Sequence, residues 1–438
     1  MSFHEDRRIA LDLHDKPSAP VWGLLSLQHL FAMFGATVLV PLITGLPPAV
    51  ALVTSGAGTL LYIVITKGGI PAYLGSSFAF IAPILAASAM GGVEGALVGC
   101  MAAGLVYVVI SLLIRAFGVN WLMRLLPPVV VGPVIMVIGL GLASVAVDMA
   151  MKGGVGADFT YNGTYLVTAL ATLLVAIVCA TFLKNFLSMV PVLIGIVAGY
   201  LISIPLGLVE FSRVVEAPVF QVPQFIVPFV TYTPELNNAI IVAFLAAAIV
   251  PVAEHIGDQM VLSKVAGRNF LRHPGLGRSL LGDGLATLLA GVLGGPPNTT
   301  YGENIGVVAV TRVFSVFVIG GAACLAIVFG FIGKVSAFIS TIPVPVMGGI
   351  SIMLFGIIAA SGLRMMVDNK VDLGIKRNLV ITSVILTIGV GGALVQLGPN
   401  IEVAGMALAA IIGILLNLVL PGRPAHEESE RMFEALGD

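Results

Sequence analysis

Long apolar runs, most close to twenty residues and separated by short polar links, set the pattern of this chain. Clear runs lie at 22–44, 49–66, 93–114, 128–148, 164–182, 188–208, 239–262, 314–332, 346–366, 379–397 and 403–420. Three more, at 71–90, 279–295 and 298–312, are interrupted by small or polar residues. About 20 apolar residues of helix cross a bilayer, so the pattern predicts an all-α polytopic membrane protein with fourteen transmembrane segments. Residues 1–20 are polar, and no apolar stretch with a small-residue cleavage site precedes the first run, so no removable signal peptide is expected.

Composition removes the alternatives. Of 438 residues, 58% are apolar and 10% charged, with a formal net charge of −1. A soluble domain carries about 25% charge and could not hide this much apolar surface. A soluble enzyme and a disordered chain are therefore excluded. No net positive field exists to hold nucleic acid. Cys100, Cys179 and Cys324 lie singly in apolar runs, which suggests neither a disulfide framework nor a zinc site.

Charge placement fixes orientation. With the N-terminus in the cytosol and alternate sides thereafter, only Lys152, Arg213 and Lys334 fall outside, and the other eighteen of the 21 Lys and Arg fall inside. That satisfies the positive-inside bias and predicts both termini cytosolic. The halves echo each other: Pro128, Gly132, Met136 and Gly139 recur 217 residues later as Pro345, Gly349, Met353 and Gly356. The run from Tyr73 to Phe78 resembles that from Thr300 to Ile305 at an offset of 227. Seven spans per half is an odd number, so the second half enters inverted, the plan of many secondary transporters.

Ionisable groups inside spans are costly and are read as functional. Glu254 and Asp258 stand four residues apart in one span, on one helical face. Asp283 lies early in the next, and Glu303 in the broken stretch 296–306. Gln28 and His29 sit in the first span. Pro71, Gly75 and Pro83 punctuate one broken stretch; Pro296, Pro297, Gly302 and Gly306 punctuate the other. Neither can be helix throughout. Interrupted segments at matching positions of two halves point to a binding site. Each reads as a short extended piece followed by a half-helix; the two pieces could pair near the midplane, leaving helix N-termini free for a ligand.

Several runs resemble the nucleobase–ascorbate transporter family over roughly residues 20–420. They are Gln28-His29, the stretch Gly69-Ile70-Pro71-Ala72-Tyr73-Leu74-Gly75-Ser76-Ser77-Phe78-Ala79-Phe80, and Ala253-Glu254-His255. The signature Glu303-Asn304-x-Gly306-x-x-x-x-Thr311-Arg312, the run Pro343-Val344-Pro345-Val346-Met347-Gly348-Gly349 and the triplet Ala360-Ser361-Gly362 complete the likeness, which is nearest to bacterial uracil-type members. The resemblance implies a seven-plus-seven inverted repeat, with short antiparallel strands in segments 3 and 10. It implies a core domain (21–117 and 238–333), a gate domain (121–237 and 336–421), a cytosolic segment at 1–20 and a cytosolic tail at 422–438. It also implies a bacterial inner-membrane protein, a nucleobase substrate such as uracil or a purine, a coupling cation that is usually a proton, and a homodimer through the gate domain.

Site roles carry over one at a time. Glu254 matches the acid that bonds the base, Glu303 the first signature position, Phe78 an aromatic that packs on the ring, and Gly302 a backbone contact. Proton coupling falls to Glu254, with Asp258, Asp283 and His29 as further candidates; no other cofactor is implied. Asp258 stands where uracil-type members place a His, Asp283 resembles a purine-type acid, and Phe355 stands where a Tyr is expected. These departures bear on which base is carried, not on the class. Uracil alternates ring N–H donors with carbonyl acceptors in one plane, and carboxylates accept from N–H edges. A channel would need a continuous polar file, which is absent, and no HExxH, catalytic serine motif or paired His ligands suggests an enzyme. An anion exchanger of similar architecture would be expected to place a cation or free helix ends at the site rather than two acids.

Overall fold

The computed structural model describes residues 9–152, 160–184, 190–398 and 401–422. Arg7, Arg8, Arg423 and Arg431, counted above as cytosolic, lie outside the described residues, as does nearly all of the expected tail. The first half comprises α1 (Ala19–Thr44), α2 (Pro48–Ile65), β1 (Leu74–Ser76), α3 (Ile81–Phe117), α4 (Asn120–Leu125), α5 (Pro128–Gly141), α6 (Ala143–Met151), α7 (Gly163–Phe182), α8 (Pro191–Ser203) and α9 (Phe211–Glu216). The second comprises α10 (Asn238–Ala247), α11 (Ile249–Ala266), α12 (Leu276–Leu293), β2 (Asn298–Thr300), α13 (Gly302–Thr311), α14 (Val316–Gly330), α15 (Gly333–Ser340), α16 (Val344–Asp368), α17 (Lys376–Val390), β3 (Leu394–Gly398), β4 (Ile401–Ala404) and α18 (Gly405–Val419).

Among the described residues, eight helical stretches are long and apolar enough to cross a bilayer, and three shorter apolar helices, α8, α14 and α18, accompany them. Prolines at the first turns of α1, α2, α5, α8 and α16 occupy positions where the missing N–H costs nothing. Helix α7 shows what solvent these elements expect. Its buried face is Thr168, Ala169, Thr172, Ala176 and Cys179, small or mildly polar. Its exposed face carries Val167, Leu170, Leu174, Ile177 and Val178. In water the larger apolar side chains would face inward; here they face outward, as in lipid, and small residues let helices approach.

Two features depart from the simple run count. The expected runs 71–90 and 93–114 join in one long element. Its backbone leaves helical geometry at Gly91 (φ −138°, ψ 22°) and Gly92 (φ 67°, ψ −176°), where the sequence places a boundary. The run 379–397 does not stay helical: α17 ends at Val390, Gly391 and the positive φ of Gly392 (68°) turn the chain, and β3 pairs antiparallel with β4. Leu394, Val395 and Leu397 are exposed on that hairpin.

Helices α1, α2, α3, α12 and α14 pack on one another, and α5 to α8 with α16 to α18 on one another. Helix α11 touches α13 and β2 on one side and α5 and α18 on the other. Two of the glycines noted above, Gly132 and Gly139, explain how α5 and α16 come close. A Cβ on Gly139 would run into the Phe355 carbonyl, and one on Gly132 would lie 3.0 Å from the Gly362 carbonyl.

Candidate functional site

Strand β1 lies against α1 and α2, and strand β2 against α11 and α12. They pair antiparallel, Leu74 with Thr300, Gly75 with Thr299 and Ser76 with Asn298. Extended backbone in a membrane must find partners inside the protein, and here it does. Ser77 N–H donates to the Pro297 carbonyl at 2.8 Å, and Tyr301 N–H to the Tyr73 carbonyl at 3.0 Å. From α2, Ser55 donates to the Leu74 carbonyl at 2.7 Å and Thr59 accepts from Leu74 N–H at 2.9 Å. From α12, Thr287 donates to the Asn298 carbonyl at 2.9 Å. Gly75 is required by a close approach: a Cβ there would lie 2.5 Å from the Tyr301 ring and 2.7 Å from the Thr37 hydroxyl. The Tyr301 hydroxyl in turn donates to the Ser76 carbonyl at 3.0 Å.

Each strand ends in a helix start. After β1 a single 3-10 turn, Phe78–Phe80, leads into α3. Phe78 is buried and meets Phe355 of α16 edge to face, ring centroids 5.5 Å apart. After β2 comes α13, with Glu303 in its first turn and no side-chain cap on its N-terminus. Of the leading N–H groups that a helix start leaves unpaired, that of Glu303 is met by the Glu303 carboxylate itself. Gly302 is exposed at this end, and a Cβ added to it would meet only the Asp258 carboxylate, at 3.8 Å.

Helix α11 supplies the other acids. Glu254, Asp258 and Glu303 are half-buried rather than turned to bulk solvent. One oxygen of Glu254 is buried with no hydrogen-bond partner, which for a carboxyl group calls for an explanation. Asp258 accepts from the Thr300 hydroxyl at 2.8 Å, tying α11 to the end of β2. Asp258, Glu303 and Asp283 all lie within electrostatic reach of Glu254.

Asp283, on α12, is fully buried, and neither of its oxygens has a hydrogen-bond partner. His255 Nδ1 lies 3.4 Å from one of the Asp283 oxygens. His255 Nε2 lies 2.6 Å from the Ser279 hydroxyl, Ser279 lies 2.7 Å from the Tyr62 hydroxyl, and Gln259 donates to Tyr62 at 3.2 Å. His255 Nδ1 is also 3.4 Å from the Thr300 hydroxyl. Because Thr300 spends its proton on Asp258, a consistent assignment places the His255 proton on Nδ1 and lets Nε2 accept from Ser279. One imidazole thus stands between Asp283 and the Thr300–Asp258 pair.

His29 is placed elsewhere. Its Nδ1 lies 3.1 Å from the Asn304 amide nitrogen, which also donates to the His29 carbonyl at 3.0 Å. It holds the first turn of α13, one residue from Glu303, and does not join the His255 network. Asp258 of α11 and Gly302 of α13 therefore face each other, with Glu254 one turn from Asp258 and Glu303 next to Gly302; Phe78, in the turn before α3, meets Phe355 of α16; Asp283 reaches the first group through His255. Sequence reasoning passed over Thr300, Tyr62, Ser279 and the role of His255. Only His255 left a signal, standing beside Glu254 within a membrane span.

Two interrupted, mutually paired stretches with ionisable groups beside them, set among apolar helices, fit the plan of a secondary transporter. The family model described as Permease family matches residues 21–398, and the chain belongs to that family. It is 59% identical to the uracil permease of Bacillus subtilis (strain 168) over 417 residues, 95% of this chain and 96% of that one. It is 45% identical to the uracil permease of Escherichia coli (strain K12), covering 94% of each. Among solved structures it resembles the transmembrane domain of the cyanobacterial bicarbonate transporter BicA, with TM-score 0.63, 16% identity, and coverage of 92% of this chain and 99% of that one. It also resembles murine Slc26a9, an anion transporter in the inward-facing state, with TM-score 0.67, 11% identity, and coverage of 93% and 69%. At those identities the likeness speaks for the fold alone.

Proposed function

We propose that this chain imports a nucleobase, uracil, together with a proton, by rocking of a core domain against a gate domain. The observation that carries this is the placement of Glu254, with its unpartnered buried oxygen, one turn from Asp258 on α11, where Asp258 faces Gly302 beside Glu303 at the head of α13. A flat ring with N–H donors and carbonyl acceptors fits that set. The carboxylates take the N–H groups, the first-turn N–H groups beside Gly302 take a carbonyl, and Phe78 covers a ring face. Hydrogen bonds to charged groups contribute about 1.5–3 kcal/mol each. Two of them with ring burial approach the roughly 8 kcal/mol of micromolar binding. The names of the relatives support uracil as the base.

The coupling proton is carried on Glu254, with Asp258 beside it as relay. His255 extends the relay to Asp283 through Thr300, and His29 holds α13 in place. Core and gate follow the two helix groups described above, with Phe355 as the gate's contact on Phe78. The fourteen-span, seven-plus-seven plan, a homodimer through the gate, and cytosolic termini in a bacterial inner membrane complete the proposal; charge asymmetry and the recurrent Pro/Gly motifs support it. A purine base is the second reading, favoured by Asp258 and Asp283. Anion exchange is suggested by the fold neighbours but would set an anion against three carboxylates. The test is labelled-uracil uptake in proteoliposomes under an imposed proton gradient, competed with xanthine and bicarbonate. Uptake blocked by cold uracil, weakly by xanthine and not by bicarbonate, and abolished in Glu254→Gln, is expected. Full proton-driven uptake in Glu254→Gln would refute the assignment.

A further inference from the structure

A cavity of about 560 Å³ lies between the end of α2, the link from α11 to α12, and the start of α12, and none of the acids of α11 and α13 lines it. Its chemistry is opposite to that of the site above. Lys67, Arg268, Arg272, His273 and Arg278 line it, and no carboxylate does so among the described residues. Leu13, Phe270 and Pro274 add apolar wall. Asp12, next to the lining residue Leu13, is committed to Arg268 at 2.7 Å. Partial burial works to raise the Asp12 carboxyl, but the Leu13 N–H and the Arg268 guanidinium outweigh it and hold the group below its ordinary value. Asp12 thus balances Arg268, whereas Lys67 and Arg278 form no ion pair among the described residues and keep the cavity positive.

The backbone here is held in a shape that needs support. Lys67 takes φ 55° and Gly68 φ 66°, a consecutive left-handed pair. The turn is closed by Gly68 N–H donating to the Ile63 carbonyl at 2.8 Å and Gly69 N–H to the Thr66 carbonyl at 3.1 Å. A left-handed lysine is uncommon, and such strain clusters at ligand sites. By the charge asymmetry of the chain this end faces the cytosol. Basic pockets between membrane helices on that side suit phosphate groups.

We propose that this cavity binds a phosphate-bearing anion, either the headgroup of an anionic phospholipid or a soluble phosphate, at a site separate from the carboxylates of α11 and α13. Lys67 and Arg278 are both exposed at the cavity and can be neutralised without touching the Asp12–Arg268 pair. The experiment is a thermal-shift titration of the purified full chain with inorganic phosphate and, separately, with dihexanoyl phosphatidylglycerol, using dihexanoyl phosphatidylcholine and chloride at equal ionic strength as controls. Wild-type protein is expected to show saturable stabilisation by at least one of the two anions. Lys67→Gln/Arg278→Gln is expected to weaken it about tenfold while keeping wild-type melting in the controls. Stabilisation by phosphatidylglycerol alone assigns a lipid headgroup; stabilisation by phosphate assigns a soluble ligand. No saturable response to either anion, or an undiminished response in the double variant, overturns the proposal. Uracil uptake measured in zwitterionic liposomes reads the substrate site independently of this result.

Discussion

Residues 71–83 and 296–306 share one backbone plan and carry opposite chemistry. Both break a span, both contribute a three-residue strand to the same antiparallel pair, and both hand over to a helix start. The first stretch brings Phe78 and no ionisable acid or base; the second brings Thr300, Glu303 and Asn304. Even their glycines differ. Gly75 is locked beneath the Tyr301 ring, whereas Gly302 is open and faces only Asp258. The scaffold needs both stretches to be extended, because each satisfies the other's backbone groups. Once that is met, the side chains are free to divide the work: an apolar wall from one half, a hydrogen-bonding wall from the other. A shared backbone plan therefore does not require shared chemistry.

Substitutions at these positions break or sharpen that contrast. Gly75→Val should have the largest effect, since its Cβ is placed against Tyr301 and Thr37 with no room to shift. Overpacking of this kind costs about 1–3 kcal/mol or more, and here it also separates the strands that satisfy each other. Membrane-inserted protein should fall steeply and melt well below wild type in a thermal scan. A Gly75→Val protein with wild-type melting would show that the strands are not tightly coupled. Phe78→Leu keeps an apolar side chain and loses the aromatic face. An aromatic contact is worth about 0.5–1.5 kcal/mol beyond its area, so uracil binding by calorimetry should weaken about tenfold with melting little changed. Gly302→Ala should be the mildest. Folding should be unaffected, and uracil affinity should drop only a few-fold as the methyl group crowds the approach to Asp258 and the α13 N-terminus.

Much of this was legible in the sequence because the bilayer simplifies the reading. Run length, the Lys/Arg asymmetry and the costliness of buried acids each have one strong physical cause. They located the helices and singled out Glu254, Asp258, Asp283 and Glu303. The β3–β4 hairpin was not legible, because a short apolar run reads alike as strand or helix; only Gly391-Gly392 hinted at the break. The His255–Ser279–Tyr62 network was not legible for a different reason. Serine, threonine and tyrosine are common in membrane helices, and nothing in spacing alone says that α2, α11 and α12 converge. The separate placement of His29 likewise depends on how α1 meets α13. Residue type marked the acids; three-dimensional packing sorted them into groups.

A structure of the protein with uracil bound tests the central claim most directly. The base should lie between Glu254 and Glu303, with ring N–H groups within hydrogen-bond distance of both carboxyls and one ring face on Phe78. Uracil bound elsewhere, or touching neither carboxyl group, would contradict it.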